Sequence, residues 1–204
     1  MRRREDNKAR KREKLETEGL KLFLEHGYDR ASIEQVVAAA DVARGTFYLY
    51  FPDKLALFET LIDRWFTPMI AIFEEVDQQL ETAVDRTASL MIYSVMAQKF
   101  MLTAAEHRDE LLLFFREVRR AGEAGDRLRA RELQVLEAST GITLKASQKG
   151  LITVEDPRLA AHIIIGASER LHYEWLIGGN VGEEAFLQQR LMKIFGRMLE
   201  LPSF

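Results

Sequence analysis

Two short stretches of helical periodicity stand only three residues apart in this chain, and that spacing limits the fold more than any other feature. Ile33, Val36, Val37 and Ala40 form one apolar stripe, and Arg44 to about Tyr50 forms the next helix, with Asp41-Val42-Ala43 between them. So tight a turn makes the two helices cross and share one small core. Asp41 suits the turn, because aspartate tolerates left-handed backbone better than most residues. Ser32 stands where a hydroxyl caps the first helix. Pro52 stops the second by disfavouring helical geometry in the residue before it. A longer helix precedes both. Leu15, Gly19, Leu22, Phe23 and His26 fall on one face of a helix from about Asn7 to Glu25, which Gly27 ends.

Two short helices about such a turn make a helix-turn-helix, whose second helix enters the major groove of DNA. On that helix Phe47 and Phe51 should pack inward, and Arg44, Thr46, Tyr48 and Tyr50 should face outward. Spacing alone fits an ordinary three-helix core equally well. Charge adds a second observation. The chain carries a net −3, yet residues 1–14 hold an excess of +5 and the remainder is near −8. A basic arm on an acidic body suits a protein that touches phosphate with one end, and Arg10, Lys11 and Lys14 are its candidate contacts. A solvated tail would have the same composition.

The segment from Ala31 to Leu55, ASIEQVVAAADVARGTFYLYFPDKL, resembles the DNA-binding signature of the tetracycline-repressor family. Gly45-Thr46-Phe47-Tyr48, Tyr50-Phe51 and Lys54-Leu55 carry the match, and the resemblance covers about residues 13–60. It implies an all-α fold of about nine helices. A three-helix DNA-binding head would occupy residues 1–54, and a larger helical ligand-binding and dimerisation domain residues 55–204. By position it implies that Ser32, Thr46, Tyr48, Tyr50 and Lys54 hold the phosphate backbone, while Arg44 and Leu49 reach base edges. The chemistry agrees: arginine's planar fork fits guanine O6 and N7, and leucine can contact a thymine methyl. Hydroxyl and ammonium donors on phosphate fix register without reading sequence. Three positions depart from the family pattern. Asp41 replaces Gly, Ala43 replaces Ser and Ala31 replaces Thr, so Ala43 lacks the hydroxyl that would cap the recognition helix. Glu34 can accept from cytosine N4, though a solvated carboxylate explains it as well.

The remainder reads as helices. Asp53 caps one holding Leu57, Phe58, Leu61, Ile62, Trp65 and Phe66, which Pro68 should kink or break. The next, about Thr82 to Glu106, is apolar nearly all round and is expected to be buried. Further helices are expected over Asp109–Arg120, Asp126–Lys149, from Asp156-Pro157 to Ile177, and over Glu183–Leu199, with a loop at Ala121–Gly125. Phe66, Met91, Val95, Phe100, Phe114, Phe115 and Tyr173 are candidates to line a pocket, since thioethers and aromatic faces suit an apolar or aromatic ligand. A packed core would use the same residues. The resemblance implies that the last two helices pair with their copies in a homodimer, with Ile163, Leu171, Trp175, Leu187, Leu191 and Ile194 at the interface.

Several functions are disfavoured. The absence of cysteine excludes a disulfide scaffold, a zinc-cysteine site and a cysteine nucleophile. HExxH, GxSxG, P-loop and GxGxxG motifs are missing, and the four histidines lack metal-ligand spacing, so no enzyme, cofactor or metal is expected. The longest charge-free apolar run, Thr87 to Gln98, is far short of the roughly 20 residues that span a bilayer. The N-terminus has no apolar stretch behind its charges, and a cytoplasmic location is expected. Together with the family resemblance, these observations lead to the expectation of a sequence-specific transcriptional regulator, a repressor that is dimeric on a palindromic duplex operator and released by a small apolar or aromatic effector. A DNA-bound regulator without an effector, and an all-helical enzyme or adaptor, are the alternatives.

Overall fold

A computed structural model describes the backbone of residues 2–180 and 184–200, and the side chains of residues 5–180 and 189–200. Among the described residues the chain forms nine helices and no strand: α1 (Arg2–His26), α2 (Ile33–Ala39), α3 (Arg44–Tyr48), α4 (Lys54–Thr82), α5 (Arg86–Glu106), α6 (Arg108–Glu117), α7 (Glu123–Gln148), α8 (Pro157–Leu176) and α9 (Glu184–Met198). None of the helices described is long and apolar enough to cross a membrane. The chain divides into two compact units. The first is Met1–Trp65 with Asp109–Arg129, and the second is Phe66–Arg108 with Ala130–Phe204. The first three helices thus belong to a unit that continues past residue 54 along α4 and takes in α6.

The first unit follows from its punctuation. α1 begins at Arg2, so the basic arm is helical rather than a tail. Gly27 ends it with φ +80, and its N–H donates to the Phe23 carbonyl at 2.9 Å. Ser32 caps α2 through a reciprocal pair: its hydroxyl oxygen accepts from the Gln35 N–H, and the Gln35 side chain accepts from the Ser32 N–H. Asp41 takes the left-handed turn at φ 53. Leu15, Phe23, Val36, Phe47 and Phe58 are sealed in the core, where Phe23 meets Phe58 edge-on at 5.5 Å.

Acidic groups buried in this unit all find donors. Glu16 on α1 and Glu110 on α6 are both buried. The Arg64 guanidinium serves both, reaching Glu110 at 3.4 Å and pairing closely with Glu16, which also pairs with Arg12 at 2.7 Å. Glu117 is buried beside Arg120 at 3.4 Å and accepts from the Tyr28 N–H. Arg116 donates to the Leu24 carbonyl at 2.9 Å. These bonds tie α6 to α1.

Three expectations change. α4 runs unbroken through Pro68 to Thr82. A proline inside a helix costs about 3 kcal/mol. Trp65, Phe66, Met69, Ile72 and Phe73 are buried on either side of it, and burial of one such side chain is worth about 1.5–3 kcal/mol, so packing outweighs the lost bond. α5 starts one turn late, at Arg86, where the Asp85 carboxylate accepts from the Ala88 N–H at 2.7 Å. Nor is it buried all round, because Met91, Val95 and Leu102 lie exposed along one stripe. α7 starts early, at Glu123, and absorbs Gly125 from the expected loop. A Cβ on Gly125 would stand 2.0 Å from the Arg120 carbonyl oxygen, which explains a glycine inside a helix. α8 begins as expected, with Asp156 accepting from the Arg158 and Leu159 N–H groups at 3.0 Å.

Arg64→Met should lower the unfolding free energy by about 2–3 kcal/mol, because it removes the Arg64 partner of buried Glu110 and leaves buried Glu16 with Arg12 alone. Arg12→Met, at an exposed guanidinium, should cost less than about 1 kcal/mol. Denaturant unfolding of both variants checks the contrast, and Glu16→Gln added to Arg64→Met should recover part of the loss.

Candidate nucleic-acid interface

Burial sorts the five residues of α3 and those that follow it. Phe47 is fully sealed and Phe51 buried, their rings 5.6 Å apart. Tyr48 and Leu49 face out at 46% and 75% exposure, Arg44 is exposed, and Thr46 and Tyr50 are half-buried. The N-cap, Ala43, makes no side-chain cap bond, as its missing hydroxyl requires. Arg44 instead finds partners for its own side chain. One guanidinium nitrogen lies 2.7 Å from Glu34 on α2, the other donates to the Tyr48 hydroxyl at 3.4 Å, and the guanidinium carbon is 5.9 Å from the centre of the Tyr48 ring. The Tyr48 bond first, then the Glu34 charge, hold Arg44 more firmly in its charged form.

The basic stretch of α1 lies beside the end of α3. The Tyr50 hydroxyl donates to the Lys8 carbonyl at 3.0 Å, and the Arg12 guanidinium sits 5.7 Å from the centre of the Phe51 ring. Arg10 and Lys14 are exposed and Lys11 half-buried. Arg44, Tyr48, Leu49 and the basic turns of α1 are therefore carried by elements packed on one core. Ser32 is half-buried, with its oxygen engaged in capping α2.

Lys54 departs from the phosphate contact expected of it. Its ammonium donates to the carbonyls of Tyr28 at 2.7 Å, Ala31 at 2.9 Å and Asp29 at 3.4 Å, and lies 4.2 Å from the centre of the Tyr28 ring. Burial pulls its pKa down, against the opposing charge of Asp29. Three donors aimed at three carbonyls of the α1–α2 loop make Lys54 a clasp that shapes the head from within.

Residues expected at a ligand pocket or dimer interface scatter. Phe66 is buried and Phe100 packs on Phe73 at 5.1 Å, both in the second unit. Phe114 and Phe115, 5.4 Å apart, belong to the first. Tyr173 is half-buried. Met91, at 61% exposure, and Val95 leave the pocket set, because helical register turns them away from the face of α5 that carries the buried Ser89, Tyr93 and Ala104. Ile163 and Ile194 are 47% and 60% exposed. Leu171, Trp175 and Leu191 are half-buried, and the Leu187 side chain lies outside those described. Trp175 stands about 120° round α8 from Ile163 and is faced by Arg108, 5.7 Å from its ring.

Sequence reasoning missed several polar groups. Tyr93 is buried, and its hydroxyl makes no hydrogen bond among the described residues. His172 places Nδ1 2.6 Å from the Ser168 carbonyl oxygen and Nε2 3.3 Å from the Met101 sulfur, so α5 and α8 face each other there. The Glu34–Arg44 pair bridges residues ten apart across the turn and has no spacing signature.

The profile described as "Bacterial regulatory proteins, tetR family" matches residues 17–61, from mid-α1 into α4. The HTH-type transcriptional repressor BepR of Brucella suis biovar 1 is 28% identical over 187 residues, covering 87% of this chain and 86% of BepR. The fold matches the fatty acid degradation regulator FadR of Bacillus halodurans at a TM-score of 0.72 and 21% identity, over 94% of this chain and 97% of that one. It also matches the transcriptional regulator FadR of Bacillus subtilis in complex with stearoyl-CoA at a TM-score of 0.68 and 19% identity, over 91% and 97%. Residues 17–61 thus match the tetR family of bacterial regulatory proteins, and most of the chain is similar to a protein named as a transcriptional repressor.

Lys54→Met should reduce thermal stability, by about 1–3 kcal/mol for carbonyls left without a donor. The slope of operator affinity against log salt should stay unchanged for this variant. Arg10→Ala and Lys14→Ala should each flatten that slope by about one unit with no thermal shift. Melting curves and binding titrations at several salt concentrations separate the two roles.

Proposed function

We propose that this regulator is a homodimeric repressor that reads a palindromic operator through α3 and is released by a small, largely apolar effector bound in its second unit. The observation that carries the DNA part is the division of α3. Phe47 and Phe51 are sealed, while Arg44, Tyr48 and Leu49 stand clear with base-reading and phosphate-donating chemistry. Arg44 and Leu49 take the base edges. Tyr48, Thr46, Ser32 and the basic turns of α1 take phosphate, Tyr50 positions α1 against α3, and the operator places the protein in the cytoplasm. The test is selection of duplexes from a random pool. Enrichment of a palindrome that Arg44→Ala binds more weakly by about 1–3 kcal/mol supports the reading. Selection of no sequence at all would reject it.

The effector part rests on α5 and α8. On the inward face of α5, Tyr93 and Ala104 are buried, but Met96, Ala97, Phe100 and Met101 between them are only half-buried. On α8, Ala160, Ala161 and Leu176 are buried, yet no residue from 162 to 175 is. The half-buried middles of these two helices, which meet at Met101 and His172, are where we place the ligand, beside thioether and aromatic side chains. Burial alone raises the Tyr93 pKa, with no charged group contributing, so an uncharged hydrogen-bond acceptor suits its hydroxyl better than a carboxylate. The Bacillus subtilis relative is known in complex with stearoyl-CoA, a ligand with a long apolar chain. Stearoyl-CoA, a long-chain alcohol and a polycyclic aromatic dye are suitable probes for operator release. Tyr93→Phe should be as stable as wild type or up to about 1 kcal/mol more so, since it deletes an unpaired buried hydroxyl, while losing release by whichever probe acts on wild type. If no probe shifts the melting temperature or releases DNA, the regulator without an effector becomes the better reading.

Dimerisation rests on the outward stripe of α8, where Leu159 and Ile163 are exposed, continued by Ile177 at its C-cap, together with exposed Ile194 on α9. Symmetric dimers read symmetric half-sites. Ile163→Glu with Ile194→Glu alters two exposed side chains, so the variant should fold and sediment as a monomer. A folded dimer would place the interface elsewhere.

A further inference from the structure

The DNA-facing surface carries one negative charge in contact with its most specific reader. Glu34 lies in the first turn of α2, whose start is fixed by the Ser32–Gln35 capping box. Its carboxylate is 2.7 Å from Arg44, and both side chains are about 60% exposed, at 59% and 62%. An ion pair that open to water adds little to stability. Near phosphate, moreover, the carboxylate is repelled. Its effect must be sought in what it does to Arg44.

Arg44 has a long, flexible side chain at the very start of α3, where Ala43 offers no capping group. A loose arginine there can swing to the nearest phosphate of any sequence. Here the guanidinium is held by Glu34 through one nitrogen and by the Tyr48 hydroxyl through the other, with the Tyr48 ring alongside. Five N–H donors serve a guanidinium. Two such contacts leave donors enough to form the two parallel bonds that guanine O6 and N7 accept. A phosphate that would draw Arg44 away must break the Glu34 pair, whereas a guanine can be bound with the pair intact.

We propose that Glu34 is a positioning residue for base recognition: it holds Arg44 toward one base pair and keeps it off the phosphates, trading affinity for all DNA against discrimination at that pair. This rests on the reading of α3 as the recognition helix. It assigns Glu34 no base contact of its own.

The experiment measures binding of wild type, Glu34→Ala, Glu34→Gln, Arg44→Ala and the Glu34→Ala/Arg44→Ala double variant. Each is titrated against the selected operator, operators substituted symmetrically at each half-site position, and a scrambled duplex, at several salt concentrations. Glu34→Ala should bind scrambled duplex several-fold more tightly, with a salt slope about one unit steeper as Arg44 turns to phosphate. It should lose about tenfold of the discrimination at the base pair that Arg44→Ala also blurs, part of the roughly 5- to 150-fold that one bidentate contact supplies. Glu34→Gln, which keeps an acceptor, should fall between wild type and Glu34→Ala. The double variant should discriminate no worse than Arg44→Ala. Melting temperatures should not move, since both residues are exposed. The proposal is overturned if Glu34→Ala strengthens binding to every duplex equally, which would make Glu34 a mere charge. Loss of discrimination at a second base pair in the double variant would overturn it too, making Glu34 a direct reader. If Arg44→Ala blurs no position while operator selection succeeds, the base-reading role of Arg44 fails on its own terms.

Discussion

A five-residue helix has no stability of its own, because nucleating a helix costs more than one turn of hydrogen bonds returns. α3 exists because Phe47 is driven into the core beneath it, with Phe51 beside it at the following turn. That burial fixes rotation about the helix axis as well as existence. Once Phe47 points in, a helical repeat of 3.6 residues turns Leu49 about 160° away and Tyr48 about 100° to the flank, while Arg44 is exposed at the open first turn beside Tyr48. The exposed Leu49 and Tyr48 would be anomalies on an ordinary small core. On a helix whose rotation is pinned, they are the consequence of one buried ring.

The pinning depends in turn on how the surrounding unit handles its charges. Glu16, Glu110 and Glu117 are all buried, and a carboxylate in that position is tolerated only with donors in place. Arg64, Arg12, Arg120 and the Tyr28 N–H supply them. Burial raises the Glu117 pKa more strongly than Arg120 and the Tyr28 N–H lower it, so this carboxylate is held at some cost to stability near neutral pH. Because Glu110 and Glu117 sit on α6, the same bonds make α6 part of the unit that carries α3. The chain passes between the two units three times, within α4, at the start of α6 and within α7.

Much of the head was legible in sequence because its signals are local. Gly27, Ser32, Asp41 and Asp53 each announce a cap or turn through their own backbone chemistry, and each is where it should be. Pro68 misleads because its cost is local while the burial that outweighs it is tertiary. α5 misleads because an apolar composition all round says nothing about which stripe is covered, and Met91, Val95 and Leu102 are not. Interactions between distant residues were beyond reach for the same reason. Lys54 and the carbonyls of Tyr28 and Ala31 are more than twenty positions apart, and Arg64 and Glu110 are 46 apart.

The same distinction governs how much of the basic charge can act on DNA. Counted in sequence, every lysine and arginine of the first unit is a potential phosphate contact. In the structure Lys54 is spent on backbone carbonyls, Arg64 on two buried carboxylates, Arg116 on the Leu24 carbonyl, and Arg12 on Glu16 with Phe51 beneath it. These cations release few counterions when DNA arrives, since their charge is already answered. Among the described residues, the cations exposed beside α3 include Lys8, Arg10 and Lys14 on α1 and the tethered Arg44. On the proposed reading, the described cations that can act on arbitrary DNA are fewer than the composition suggests. On that reading a low background would let one well-held arginine matter, because discrimination is a difference between specific and non-specific binding and grows as the second term shrinks.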